Sequence, residues 1–216
     1  MPRLMLPAVL LAALFYTAPL AAGPGVQPAC ATTEQARNIR DYYSSMRPGV
    51  PLPVPSRYFN VTEFVVASAL PPEQALGASA TPEIVKQIWA TIEGWGAATK
   101  VTLVLSPNSR HAFAFPSLVP TTQPNPKSGY MDVYADDGRG VHSHIQLDQV
   151  AAIYATDVPA KNPASRTRGI SFFGPNGDLV LGVYASINQD SFDAKAVEGF
   201  ARSWSAIADL PRLCAG

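Results

Sequence analysis

Two histidines and a tyrosine are the side chains with most scope for chemistry. His142 and His144 are separated by one residue, and Tyr130 lies upstream across a turn. Side chains of a β-strand point to alternate faces, so a strand over residues 141–147 places both imidazoles on one face. Two imidazoles at that spacing are compatible with two metal ligands on one strand.

Three strand-like runs are predicted to form an antiparallel meander around these residues. Residues 130–134 alternate polar and apolar side chains, and residues 141–147 do so again after a turn rich in aspartate and glycine. Residues 150–156 are nearly all apolar. If the apolar faces of the first two strands pack on a common core, Tyr130 and both histidines point out of the opposite face together.

Asp132 and Asp148 are candidates for a third metal ligand, provided that the fold brings them close. His142 and His144 would then serve a small metal-dependent hydrolase. The sequence has no glycine-rich phosphate loop followed by a helix, no zinc-type Cys/His spacing and no nucleophile elbow. Exposed strand histidines without any ligand are the alternative interpretation.

A second chemistry follows from Tyr130 and His144 taken together. Imidazole and tyrosinate both ligate haem iron. A polar sheet face bordered by aromatic side chains and basic loops suits that flat, dianionic macrocycle. The pattern is compatible with haem as the cofactor, with His144, Tyr130 and His142 as candidate ligands to the iron. Three basic residues are candidates for pairing with its carboxylates, or else are solvated loop charges: Lys161, Arg166 and Arg168.

The composition excludes one class of partner and favours a sheet protein. The 216 residues include 16 basic and 16 acidic side chains with no basic stripe, so nucleic acid is not an expected partner. The 21 prolines are many for a helical protein and fit a sheet with many loops.

The start of the chain and its two cysteines predict export. Residues 1–22 combine Arg3, an apolar run and a small-residue exit, which is typical of a secretory signal peptide. No later segment is apolar enough to span a membrane. Cys30 and Cys214 are predicted to form a structural disulfide, because a cysteine pair in an exported chain is more often bridged than free. We therefore expect a periplasmic or secreted protein.

Apolar periodicity predicts helices at both ends of the chain. The clearest helix has Thr81 as its cap, Pro82 as its first residue and Gly94 after its last. Other helices are predicted over residues 32–45 and 61–70, and after a cap at Asp190 or Ser191.

Three segments are predicted to lie outside helices and strands. Residues 48–55 are interpreted as an extended proline-rich linker. Residues 118–128 and 157–168 are interpreted as long loops. The remaining strands are predicted over residues 99–105, 112–115, 169–173 and 179–186, with a tight turn between the last two.

About seven strands between helices indicate an α+β fold with one large antiparallel sheet, flanked by N-terminal helices and a C-terminal helix. After the signal peptide, residues 23–60 are interpreted as a leader helix and linker, and residues 61–216 as one domain. The chain contains no internal repeat.

Several stretches resemble the haem-utilisation carrier family of the ChuX/HutX type, which has a HemS-like fold. The similarity runs from Tyr58 to Ile207 in matching order and is clearest at Tyr130 and His144. The other matching stretches are residues 58–66, 69–71, 88–89, 93–96, 152–154 and 170–173, with Gly177.

This resemblance implies a non-enzymatic haem carrier, without catalytic residues. Such proteins are homodimers whose large antiparallel sheets bind haem in a cleft, and they pass it to a haem-degrading partner protein. His144 stands at the histidine of the family's Gly-His-Ile segment, and Tyr130 at the tyrosine of its Gly-Tyr strand. The family works in the cytoplasm, so an exported member would be a redeployment of the scaffold.

The chain departs from the family pattern at three places. Residues 102–107 contain no counterpart of a second family histidine, and His111 matches it only with a shifted alignment. Gly182 stands where lysine is common, and Ser143 replaces the glycine before His144.

Two other functions compete with haem carriage or sequestration. One is an exported interaction module that keeps the fold without binding haem, with the loop over residues 118–128 as its contact surface. The other is an enzyme, either haem-degrading or the metal-dependent hydrolase described above.

Overall fold

A computed structural model describes residues 26–125, 129–140, 142–188 and 193–214. The predicted signal peptide, residues 1–22, lies outside these ranges. No helix within them is long and apolar enough to cross a membrane. The elements are α1 (Thr33–Asp41), α2 (Pro53–Phe59), α3 (Glu63–Ala69), β1 (Ala75–Ser79), α4 (Pro82–Glu93), β2 (Lys100–Ser106), β3 (Phe113–Leu118), β4 (Thr121–Asn125), β5 (Tyr130–Tyr134), β6 (His142–Gln146), β7 (Ala152–Pro159), β8 (Arg166–Phe173), β9 (Leu179–Ser186) and α5 (Ala194–Ala208).

The strands form two antiparallel sheets, which confirms the predicted α+β class. The larger sheet has six strands in the order β1-β7-β8-β9-β2-β3, and the smaller has three in the order β4-β5-β6. The predicted meander holds for β5 and β6 only. A short 3₁₀ turn, Leu147–Gln149, carries the chain out of the small sheet, so β7 belongs to the large one.

The six-stranded sheet is covered on both faces. Ile153 and Ala155 of β7 join a core that includes residues of α4, α5 and the small sheet. Tyr154 and Val158 of the same strand join a second core, formed with the N-terminal helices. A strand buried on both sides carries apolar residues without interruption, as the run at residues 150–156 does.

The predicted helices are present, and their starts follow from side-chain caps. The Thr32 hydroxyl accepts from Gln35 N in a capping box before α1, and Thr62 and Thr81 cap α3 and α4 in the same way. The last helix, α5, has Asp193 as its cap. The predicted caps Asp190 and Ser191 lie outside the described residues.

The interpretation of residues 48–55 as an extended linker is wrong from Pro53 onwards. Helix α2 begins there, with Pro53 and Pro55 in its first turn. The first-turn N–H groups of a helix have no partner within the helix, so proline loses nothing there, and its fixed φ suits a helical start. Asn60 ends the helix in the left-handed conformation at φ 53°.

Two strands were missed, and one of them lies in a segment interpreted as a loop. Strand β4 lies within the predicted loop over residues 118–128 and pairs with β5 along its whole length. It is an edge strand, where proline is tolerated because one side makes no ladder bonds, and it includes Pro124. Strand β1 pairs with β7 from Ala75↔Thr156 to Ser79↔Ala152.

A disulfide joins the two ends of the described chain. Cys30 and Cys214 are bonded across a sequence separation of 184 residues, as predicted. The segment before Cys214 pairs with the edge strand β1, through a bridge between Arg212 and Ala78 and a hydrogen bond from Leu213 N to Gly77 O. The disulfide thus ties the N-terminal lead across the open edge of the large sheet.

Replacing both cysteines by serine should lower the free energy of unfolding by about 2–5 kcal/mol, because the unfolded chain regains the freedom of a very long loop. Guanidinium unfolding followed by far-UV circular dichroism measures the loss. Reduction of the wild type should produce the same loss and leave the double variant unchanged. Equal unfolding midpoints for variant and oxidised wild type would contradict a stabilising role.

Candidate functional site

The small sheet has one buried face and one open face. Met131, Val133 and Ile145 are buried in the core beneath it. His142 and His144 are exposed on the other side. The strand register pairs Tyr134 with His142, Asp132 with His144 and Tyr130 with Gln146. The period of two therefore brings six polar or aromatic side chains onto one surface, here called the histidine face: Tyr130, Asp132, Tyr134, His142, His144 and Gln146.

A hydrogen bond to Asp132 fixes the orientation of His144. Its Nδ1 lies 2.5 Å from Oδ1 of Asp132, whose side chain is only 14% exposed, whereas the His144 side chain is 57% exposed. A carboxylate only accepts hydrogen bonds, so the proton of the neutral ring resides on Nδ1. The Nε2 lone pair is then free and faces away from the carboxylate. Imidazoles that ligate metals are oriented in this way by an outer carboxylate.

Aromatic contacts surround this pair. The rings of Tyr134 and His142 stack at 4.5 Å with an interplanar angle of 15°, and His142 contacts His144 edge to face at 4.6 Å. The Tyr130 hydroxyl donates to Oε1 of Gln146 at 3.2 Å. Tyr130 is thus a diagonal neighbour of His144, a position that long side chains span across a strand pair.

The structure places all three predicted ligands, Tyr130, His142 and His144, on the histidine face and outside the hydrophobic core. The structure does not form the metal site that the sequence suggested, in which Asp132 or Asp148 would join the two histidines. Among the described residues, no group of three or more metal-ligating side chains converges, with Asp132 or with Asp148. Asp148 is exposed in the 3₁₀ turn that leaves the small sheet.

The basic residues expected to border the face are engaged elsewhere. Arg166 and Arg168 lie in β8 of the large sheet, and their Nε atoms are 2.5 and 3.3 Å from Oδ1 of Asp157. Lys161 is exposed in the turn between β7 and β8. The two arginines therefore share the half-buried carboxylate of Asp157.

A large apolar cavity was not predicted. It has a volume of about 680 Å³ and lies where the ends of β2, β3 and β9 meet the β8–β9 turn. Phe113 and Phe115, on the edge strand β3, are 51% and 36% exposed, and their rings stack parallel at 6.4 Å. The alternation of these phenylalanines puts them on one face, but only the assembled sheet shows that this face is open.

A buried carboxylate links three segments next to this cavity. Glu63, at the start of α3, is fully buried and accepts a hydrogen bond from Ser106 Oγ at 2.5 Å. Ser109 Oγ lies 2.5 Å from the other oxygen of Glu63 and 2.8 Å from Oδ1 of Asp178. These contacts tie helix α3, the turn after β2 and the β8–β9 turn together beside the cavity.

The departure at Gly182 has a steric cause. A Cβ at Gly182 would lie 2.7 Å from Cε2 of Tyr184, and a Cβ at Gly169 would lie 2.7 Å from Cδ1 of the same ring. The fully buried Tyr184 ring therefore occupies the space that side chains at both positions would need. A lysine at residue 182 is incompatible with this packing.

Fold and sequence comparisons agree on the class of protein. A solved structure of a protein from Erwinia carotovora superimposes with a TM-score of 0.61 and 22% identity, covering 82% of this chain and 99% of that one. The heme-binding protein ChuX superimposes with a TM-score of 0.57 and 17% identity, covering 81% and 99%. The heme-degrading enzyme ChuS of Escherichia coli O157:H7 gives 0.56 and 12%, covering 77% of this chain and 47% of its own length. These likenesses define a ChuX/ChuS-like fold.

The family model for haem utilisation ChuX/HutX matches residues 78–202, which is more than half of the chain. The chain therefore belongs to the ChuX/HutX haem-utilisation family. No curated protein sequence matches it. The predicted resemblance is confirmed, and the match includes both strands of the histidine face.

Nitrogen NMR of the imidazoles tests the contact that orients His144. At about pH 8.5, where imidazole is ordinarily neutral, Nδ1 of His144 should carry the proton in the wild type. In Asp132→Ala, the ring should change to the Nε2–H form that a free imidazole prefers. His111, exposed ahead of β3, serves as the internal control and should not change. A wild-type His144 protonated at Nε2 would contradict the assignment.

Proposed function

We propose that this protein is an exported haem-binding protein that carries or sequesters haem, without catalysis. Its membership of a haem-utilisation family supports this function, and so does the haem binding named for ChuX, which shares its fold. The observation that carries the proposal is the His144–Asp132 pair. It leaves Nε2 of an exposed imidazole free within a group of tyrosines and a second histidine.

The donor chemistry of the histidine face fits haem iron. His144 would be the axial ligand, with Tyr130 or His142 as alternates, since imidazole and tyrosinate both bind this iron. Asp132 would hold the His144 ring and raise the basicity of Nε2. Bound haem would supply the iron centre, and the residues of this chain would hold and orient it.

The apolar surface that a macrocycle needs is found on the other sheet. The cavity beside Phe113 and Phe115 has aromatic walls and the volume of a typical ligand site. Its lining contains no histidine, tyrosine, cysteine or methionine. One protomer thus offers iron donors and an apolar pocket at separate places, which favours a site completed by a second copy.

The open edge of the large sheet supports a homodimer. Strand β3 is an edge strand, and its outer residues include two exposed phenylalanines. Unpaired edges with exposed apolar side chains are usually covered in native proteins. A second copy packed along β3 would cover this edge and extend the wall of the cavity. The haem-accepting protein partner remains part of the proposal, with no surface assigned to it.

Export is supported by the pattern of residues 1–22 and by the disulfide, because disulfides persist in oxidising compartments. A periplasmic or secreted protein would meet haem outside the cytoplasm. The second candidate function is an exported interaction module that does not bind haem. The exposure of the histidine face favours it, since the His144 side chain is 57% exposed.

A hemin titration of the oxidised protein distinguishes the two functions. The wild type should give a shifted, saturable Soret band at micromolar concentrations. His144→Ala should weaken binding by about tenfold or more, because loss of an axial ligand removes a strong directional bond. Tyr130→Phe should alter the spectrum if the phenol ligates the iron. His111→Ala, a control outside the histidine face, should bind as the wild type does. A free-hemin spectrum in the presence of wild-type protein would favour the interaction module.

Light scattering coupled to size exclusion tests the dimer. The wild type should elute with twice the mass of one chain, and Phe113→Ser should shift it towards the monomer, because the apolar contact along β3 is lost. Tyr58→Ser removes another aromatic side chain of similar exposure, 58%, and should leave the dimer intact. A monomeric wild type, or equal behaviour of the two variants, would argue against pairing through β3.

A further inference from the structure

A second cavity lies beside the disulfide, at the β1 edge of the large sheet. Its volume is about 420 Å³, within the range of small-ligand sites. The last turn of α1, the end of α3, strand β1 and the C-terminal segment before Cys214 enclose it. Neither the histidine face nor the cavity beside Phe113 contributes a residue to its lining.

Two arginines provide the only charges in its lining. Arg40 is fixed at the wall, because its Nε donates to Ala69 O at 2.6 Å, and its terminal NH₂ groups remain available. Arg212, in the C-terminal segment, also lines the cavity. No described carboxylate forms an ion pair with either guanidinium, and no acidic residue lines the cavity. Among the described residues, the site is therefore positively charged and has no carboxylate as counter-ion.

The remaining wall is mostly apolar and neutral. Leu70, Leu213 and the Tyr154 ring contribute to it. The Tyr154 hydroxyl donates to Leu213 O at 3.2 Å, so the phenol is engaged with the wall itself. Burial raises the pKa of Tyr154 well above its ordinary value, and this side chain therefore adds no negative charge. The apolar part of a ligand could pack on this wall without leaving the Tyr154 hydroxyl buried and unpaired.

The wall is held in place before any ligand arrives. The Tyr154 ring covers Gly77, where a Cβ would lie 2.1 Å from Cζ, so only glycine permits the close approach of β1. The C-terminal segment is fixed by the Leu213 N–Gly77 O bond of 2.9 Å and by the disulfide. A preformed cavity avoids much of the ordering cost that weakens binding to flexible segments.

We propose that this cavity binds a small amphipathic anion. A carboxylate or phosphate group would pair with Arg40 and Arg212, since guanidinium forms bidentate, charge-assisted bonds with both. A short acyl or aryl body would pack on Leu70, Leu213 and the Tyr154 ring. This site is independent of the haem site.

Isothermal titration of the oxidised protein with octanoate, octyl phosphate and octanol tests the proposal. At least one of the two anions should bind saturably in the millimolar range or tighter, and octanol should not, because it lacks the charge. The affinity for octyl phosphate, compared with that for octanoate, shows whether the cavity prefers a phosphate or a carboxylate group. Arg212→Gln should weaken anion binding by about tenfold, the usual effect of losing a charge-assisted bond. Arg57→Gln, an arginine of α2 outside this cavity, should bind as the wild type does.

Three results would overturn the site: no binding of either anion, equal binding of octanol, or a loss below about threefold in Arg212→Gln, which is the scale of a screened surface charge. Far-UV circular dichroism of each variant confirms that it is folded. Hemin binding should be unchanged in Arg212→Gln and in saturating octanoate, so the failure of one site is distinguishable from the failure of the other.

Discussion

The burial of both faces of the six-stranded sheet is the constraint on which the other features depend. Helices cover one side, and the other is covered by α4, α5 and the apolar side of the small sheet. His142 and His144 are exposed on the outer side of the small sheet, so polar side chains there keep contact with water and avoid a large desolvation cost. The histidine face is therefore a strand surface that remains in contact with water.

Local patterns in the sequence predicted much of the fold. The cap at Thr81, the alternation in β5 and β6 and the turn between β8 and β9 are short-range signals, and each is found in the structure. The errors arose at prolines, which are compatible with more than one kind of local structure. Proline in α2 and β4 indicated a linker and a loop, although a first helical turn and an edge strand both accept it.

The sequence predicted the face to which the side chains of the candidate site point, but it did not predict the contacts that they make. A period of two is enough to place Tyr130 and His144 on one side of a strand pair. The partnership of His144 with Asp132 depends on the register, which the turn between the strands sets. The cavity beside Phe113 joins segments far apart in sequence, such as Leu105 and Val180, so no local signal announces it.

The bond between Cys30 and Cys214 has a topological consequence. Their Cα atoms are 5.8 Å apart, so the first and last described segments emerge at one point on the surface. A short peptide could join them there, and new ends could be opened at an exposed turn elsewhere, as in proteins whose termini are adjacent. The disulfide thus closes residues 30–214 into one covalent ring, whose two ends meet at one point on the surface.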